Sequence, residues 1–233
     1  MDINNLPVFL LCGGKGERLK PLTDSVPKPL IEIKSKPIIG YQFDYFKSFG
    51  ISKYVVATGY RSNKFKDYFE QHEKDIQIDI VDSGDVNIIR RLKDSRSFLK
   101  ADFLLCYGDT LANVNLKSLL EFHESHDGLV SMTTYPMQSP FGVIDMDHSG
   151  RVTEFREKPM LNHWVNIGYM VFRNEIWNHL GRYNDFVDLL EALIVEEKLY
   201  SYRHRGVHIT VNTIKELHEA EENIAHFTDS IME

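Results

Sequence analysis

The chain has only two cysteines, Cys12 and Cys106, each at the end of an apolar run. Two such thiols build no disulfide framework, and buried thiols in a reducing cytoplasm are the reading they support. No apolar run reaches the roughly 18 residues a membrane span needs, so no membrane partner is expected. The opening segment, MDINNLPVFLLCGG, is acidic and lacks a small-residue cleavage site, which argues against a signal peptide. Basic residues are in deficit: 27 Lys and Arg against 34 Asp and Glu give a formal charge of −7. That balance argues against nonspecific nucleic-acid binding. Internal repeats, low-complexity tracts and linkers are also missing. What remains fits a cytoplasmic globular chain, with 1–233 as one unit that is 42% hydrophobic and 26% charged.

Within it, short apolar runs read as buried strands at 7–11, 53–58, 76–81, 102–106 and 129–134. Helical spacing appears between them. The segment 38–50 ends in Gly50, a C-terminal stop, and 113–126 follows an Asn start. Strand followed by helix, repeated, predicts an α/β fold with a mostly parallel sheet covered on both faces. After about residue 140 the pattern changes. FGVIDMDHSGRVTEF reads as two strands around a turn containing Gly150, WVNIGYMVF as a further strand, and 213–227 as an amphipathic helix.

Ligands of parallel sheets bind beyond the carboxyl ends of the strands. The stretch LCGGKGERLKPLTDSVPKPL, residues 11–30, lies beyond the first predicted strand. After Leu11 and Cys12, the glycines Gly13, Gly14 and Gly16 let backbone N–H groups approach an anion without an intervening side chain. The spacing matches neither the dinucleotide fingerprint nor the Walker loop. Arg18 offers a planar fork suited to phosphate oxygens. Pro27 and Pro29 stiffen the segment around Lys28 and hold its ammonium. The pattern points to a polyphosphate site with two fixed cations, against the plainer reading of a tight turn followed by solvated Arg and Lys.

The block GGKGERLKPLTDSVPKPLIEI resembles the signature of the sugar-phosphate nucleotidyltransferases. CYGDT (106–110), EFREKP (154–159) and VNIGYMVF (165–172) resemble that family's later elements. IVDSGD (80–85) with RRLK (90–93) is similar to the glucose-1-phosphate cytidylyltransferases within it. The resemblance covers most of the chain. It implies a Rossmann-like, mostly parallel mixed sheet, with a nucleotide-binding part at about 1–135 and an acceptor-binding part at about 136–233.

The implied reaction is attack by a sugar phosphate on the α-phosphorus of an NTP, here CTP, with pyrophosphate leaving. No covalent intermediate is needed, so catalysis rests on positioning and charge stabilisation. The resemblance implies phosphate contacts from Gly13, Gly14 and Gly16, neutralisation of pyrophosphate by Arg18, and Lys28 between the reacting phosphates. Gly108 and Asp109 close the YGDT strand end, where a carboxylate would hold Mg²⁺, a hard cation suited to oxygen ligands. Taken alone, Asp109 would read as a turn or N-cap residue. Asp82, Ser83 and Gly84 fall near the expected base pocket. Phe141, Gly142, Glu157, Lys158, Asn166 and Gly168 fall on the acceptor side; without the family pattern, Glu157 and Lys158 would read as a solvated charge pair.

Two positions depart from the family. Glu17 stands where Thr is frequent and is expected to face outward, away from a triphosphate. Asn212, in VNT, stands where relatives carry a second metal-binding aspartate. An amide oxygen can ligate Mg²⁺ but carries no charge, so Asn212 is a neutral second ligand, Asp109 holds the metal with nucleotide phosphates alone, or the acceptor differs from a standard sugar 1-phosphate. His204 and His208, if both lay on one strand, would be about 13 Å apart, so packing or surface roles are expected, as for His72, His123 and His126. A monomer or simple homodimer is the expected state. The competing readings are guanylyl, uridylyl or thymidylyl transfer to a heptose or other hexose 1-phosphate, cytidylyl transfer to a non-sugar phosphate, and a non-catalytic nucleotide-binding relative.

Overall fold

The computed structural model describes residues 2–232. In chain order, β1 spans Val8–Leu11, β2 Glu32–Ile33, β3 Lys36–Pro37, α1 Ile38–Ser48, β4 Lys53–Thr58, α2 Ser62–His72 and β5 Gln77–Asp82. Then come α3 at Ile88–Ser95, β6 at Phe103–Tyr107, β7 at Thr110–Ala112, α4 at Leu116–Glu124, β8 at Val130–Gln138 and β9 at Val143–Met146. The remainder is β10 at Val152–Arg156, β11 at Met160–Phe172, α5 at Trp177–Leu180, α6 at Phe186–Val195, β12 at Leu199–Arg203, β13 at His208–Thr210 and α7 at Ile214–Met232.

Seven strands form the central sheet in the order β12-β8-β11-β6-β1-β4-β5. Pairing is parallel throughout except along β11, which runs antiparallel to β6 and β8. The mostly parallel mixed α/β sheet expected from the sequence is therefore present. Val8, Phe9 and Leu10 in β1 are fully buried, as a central strand covered on both faces must be. On one face Leu10, Val56 and Cys106 pack with Phe43 and Phe46 of α1 and Phe227 of α7. On the other, Phe9, Leu105 and Met170 pack with Leu92 of α3 and Leu189 of α6. Truncating one of these aromatics to Ala would cost about 3–5 kcal/mol.

Most expected elements lie within a few residues of their places. Gly50 ends α1 with φ +80, its N–H returning to Lys47 O at 2.8 Å, the left-handed stop that glycine serves. The cap of α4 is Asn115, whose side chain accepts from Ser118 N, rather than the earlier Asn113. β9 and β10 form the expected antiparallel ribbon around Gly150. His204 and His208 do not share a strand: β12 ends at Arg203 and β13 begins at His208. The turn containing Gly206 separates them, and both rings pack against Tyr135, at 6.0 and 4.9 Å.

Two short pairings carry the site. The loop after β1 leads through β2 and β3 into α1. Beyond β6, β7 pairs antiparallel with β13, with Thr110 opposite Thr210. That ribbon brings the residue just before β7, Asp109, alongside the residues just after β13, including Asn212.

Candidate active site

Beyond β1 the backbone stays anchored: Cys12 N donates to Ala57 O at 2.9 Å. The next residue, Gly13, touches a side chain far away in sequence. Arg91 of α3 is 5% exposed and reaches under the loop. It donates to Gly13 O at 3.3 Å, to Gly84 O at 2.7 Å, and to Thr58 O. One guanidinium thus ties the ends of β1, β4 and β5 together. A Cβ on Gly13 would stand 2.0 Å from Arg91 Cζ, so the bare Cα there makes room for the arginine. Gly14 is exposed and has nothing within 4 Å of where a Cβ would stand. Gly16 adopts φ +63 with Thr23 and Lys28 close beneath it, a conformation that favours glycine. Burial pushes the Cys12 and Cys106 thiols up, so both are held as inert thiols.

The two cations of the signature converge. Lys28, 9% exposed, lies in a short turn opened by Pro27 and followed by Pro29. Its Nζ donates to Asp109 Oδ2 at 2.5 Å and to Asn212 Oδ1 at 2.8 Å. Arg18 Nη2 donates to the same Asn212 oxygen at 3.1 Å. Asn212 is fixed in turn, its N–H given to Glu216 Oε2 at the start of α7. Leu11, Cys12, Gly14, Gly16, Arg18, Lys28, Asp109 and Asn212 line one cleft of about 370 Å³. Glu17 is exposed but also lines this cleft, so it stands beside the two cations and not away from the site as expected. Gly108 packs under it against Cys12 and Pro29, where a Cβ would meet Cys12 Sγ at 2.5 Å.

A second cleft of about 560 Å³ adjoins the first and shares Leu11, Gly14 and Asp109 with it. Its far wall is Asp85–Ile88 and Asp185–Val187, with Arg91 and Tyr107 also in the lining. The expected base-pocket residues fall just short of it. Asp82 lines a separate depression with Ser62 and Lys66. Ser83 N bonds Thr58 O, and Gly84, at φ +69, gives its carbonyl to Arg91. The turn they form delivers the following four residues to the cleft. Across its mouth Lys15 pairs with Asp85 at 2.6 Å, and this exposed contact raises the lysine pKa and lowers that of the aspartate.

On the acceptor side, Gly168 has φ +77, and a Cβ there would stand 2.3 Å from the Tyr107 ring. Asn166 caps the Gly168 N–H at 2.8 Å and donates to the Tyr107 hydroxyl at 3.4 Å. The pair therefore seats Tyr107, a role the sequence reading did not assign. Gly142 packs against Phe155 beside Glu157, while Phe141 is 73% exposed. Lys158 lines a third depression with His208, Lys215 and Glu216, outside the first cleft.

The donor chemistry fits a hard divalent cation. A carboxylate and an amide oxygen from different chain segments already converge on one positive centre, the Lys28 ammonium, at 2.5 and 2.8 Å. Among the described residues no group of three or more His, Cys, Asp and Glu is placed to hold a metal. Asp109 and Asn212 are the oxygens that could hold such an ion here.

These features, a glycine loop beyond a central parallel strand with cations facing a carboxylate, define a phosphate-handling α/β protein. A sequence profile of the nucleotidyl transferase family matches residues 8–233, and the chain belongs to that family. A Bacillus subtilis (strain 168) protein named probable glucose-1-phosphate cytidylyltransferase is 27% identical, covering 92% of this chain and 94% of its own. A mannose-1-phosphate guanyltransferase of Hypocrea jecorina is 28% identical over 89% of this chain, which spans 61% of that protein. The crystal structure of HddC from Yersinia pseudotuberculosis aligns with TM-score 0.72 at 19% identity, covering 94% of this chain and 99% of that one; at that identity it speaks to the fold.

Proposed function

We propose that the chain transfers a nucleotidyl group from an NTP, CTP first, to a sugar 1-phosphate of the glucose 1-phosphate type, releasing pyrophosphate. The observation that carries this reading is the Lys28 ammonium fixed between Asp109 and Asn212 on the wall of the glycine-lined cleft. Two anions must approach each other in this reaction, and a cation already held where they meet reduces their repulsion without reorganisation. Arg18, hydrogen-bonded to the same Asn212, offers its remaining donors to the β- and γ-phosphates. Gly14 presents bare backbone to the triphosphate. The second cleft, between Asp85–Ile88 and Asp185–Val187, takes the base and ribose.

Asp109 with Asn212 would hold Mg²⁺, which neutralises triphosphate charge when bound. CTP and glucose 1-phosphate rank first because the Bacillus subtilis relative carries that name over nearly the whole of both chains. The test is incubation with Mg²⁺, each of CTP, GTP, UTP and dTTP, and a panel of phosphorylated acceptors, following pyrophosphate. Release with CTP and a sugar 1-phosphate supports the reading. Preference for GTP moves the base assignment to that of the guanyltransferase relatives. No release with any pair rejects nucleotidyl transfer and leaves nucleotide binding.

A further inference from the structure

Trp164 of β11 carries two guanidinium groups on one ring. Arg203 Cζ lies 5.1 Å and Arg205 Cζ 5.0 Å from its centroid. Both arginines are exposed. Neither pairs with a carboxylate among the described residues. One guanidinium on an indole is a common surface contact. A second on the same ring adds like-charge repulsion that no carboxylate offsets, in a chain whose acids outnumber its bases. An anion between the two guanidinium groups would relieve that repulsion.

The place of the cluster in the sheet says which anion. Arg203 is in register with Thr134, and Thr134 with Asn166. Trp164 stands two residues before Asn166 with regular pairing between them, so both side chains leave the same face of the strand. That face also carries Tyr107, to which Asn166 donates. The cluster therefore lies at the carboxyl edge of the sheet, on the line that runs from Asp109 past Tyr107 and Asn166. Three strand spacings, about 14 Å, separate β6 from β12, and the arginine side chains reach back across β8 to shorten that gap.

We propose that the acceptor carries a second anionic group, a carboxylate or a phosphate, remote from its reacting phosphate, and that Arg203, Arg205 and Trp164 recognise it. Guanidinium forks match the oxygens of either group. This rests on the transferase reading above and narrows its acceptor from a plain hexose 1-phosphate to one bearing a further negative charge.

The experiment compares kcat/KM for glucose 1-phosphate, glucose 1,6-bisphosphate and glucuronic acid 1-phosphate, in the intact chain and in the double variant R203Q/R205Q. The intact chain should prefer one of the two acceptors with a second anionic group by at least tenfold, and which one separates phosphate from carboxylate. In the double variant that preference should vanish, while plain glucose 1-phosphate and the KM for NTP stay within twofold. Equal use of all three acceptors by the intact chain overturns the second-anion inference and leaves nucleotidyl transfer standing. Loss of all three in proportion in the double variant also overturns it, since the arginines would then serve the structure. No pyrophosphate with any acceptor overturns both readings.

Discussion

The Lys28 ammonium donates to the Asp109 carboxylate at 2.5 Å, across 81 residues of sequence. Pro27, Pro29 and the Asn212 amide remove its remaining freedom. A cation fixed before substrate arrives acts most strongly where charge gathers, in the transition state. Lys28→Met keeps much of the side-chain volume and removes the charge. It should lower kcat by about 10²–10³-fold, the range for losing one preorganised donor, with only a few-fold change in the KM for NTP. Steady-state pyrophosphate release separates the two quantities. A rise in KM with kcat unchanged would make Lys28 a ground-state binder.

Asp109→Asn tests the same contact from the other side. It preserves shape and an oxygen but removes the only full negative charge paired with Lys28 among the described residues. The variant should need much more Mg²⁺ and turn over orders of magnitude more slowly. Near-normal turnover at ordinary Mg²⁺ would take Asp109 out of the metal site.

The Arg91–Gly13 contact yields a contrast between neighbouring glycines. A Cβ at Gly13 would enter the guanidinium, while one at Gly14 meets open space. Gly13→Ala should destabilise the protein by about 1–3 kcal/mol, the usual cost of overpacking, and lower its Tm. Gly14→Ala should leave Tm nearly unchanged and raise the KM for NTP about tenfold, equivalent to ~1.4 kcal/mol of lost contact. Thermal melts beside NTP titrations check both. Equal melting temperatures for the two variants would mean that Arg91 can move aside.

Arg91 also shows where sequence reasoning stopped. The glycine loop, Arg18, Lys28 and Asp109 were legible because they sit in one local pattern or at a strand end. The β1, β4, β5, β6 and β8 strands were legible as apolar runs. Arg91 was not, because its partners are three backbone carbonyls that have no side-chain signature. A signal existed: Arg91 falls among Ile89, Leu92 and Ser95, the buried residues of α3. Tyr107 was hidden in the same way, since the need for Gly168 arises from a ring on another strand. Helix α2 was faint because only Phe65 and Phe69 mark its buried side. The β7–β13 ribbon is three residues on each side, too short for a periodicity, yet it brings Asp109 to Asn212.

Acid should weaken the fold through buried neutral histidines. Burial lowers His123 to about 3 and His208 to about 4, and lowers His204 as well. In the unfolded chain each titrates near 6.5. Between that value and the folded one, the unfolded state binds more protons, so stability is complete above about 6.5 and declines as pH falls. His123 and His208 each remove about 1.4 kcal/mol per pH unit over that window. Tm should therefore drop from pH 7.5 to 5.5, and His208→Gln should show a shallower drop by roughly 1 kcal/mol. Identical pH profiles for the two proteins would mean that His208 is protonated in the folded state without penalty.

Asn212→Asp addresses the departure from the family directly. The Asn212 oxygen accepts from Lys28 and Arg18 together, so a carboxylate there faces two cations and stays ionised. Two effects then compete. The new charge attracts a divalent ion more strongly than an amide oxygen does, and it also binds the two basic side chains more tightly, which opposes metal entry. Mg²⁺ carries the same charge as the two bases combined but places it on one small ion at about 2.1 Å, closer than the 2.8 and 3.1 Å of the Lys28 and Arg18 contacts, which favours the metal. The Mg²⁺ concentration for half-maximal activity should fall about tenfold, or ~1.4 kcal/mol, with kcat equal or lower because tightly held metal slows pyrophosphate departure. The informative curve is rate against Mg²⁺ at saturating NTP, with Tm measured alongside. An unchanged Mg²⁺ dependence in a folded variant would restrict Asn212 to orienting Lys28 and Arg18, and would leave Asp109 as the single protein ligand.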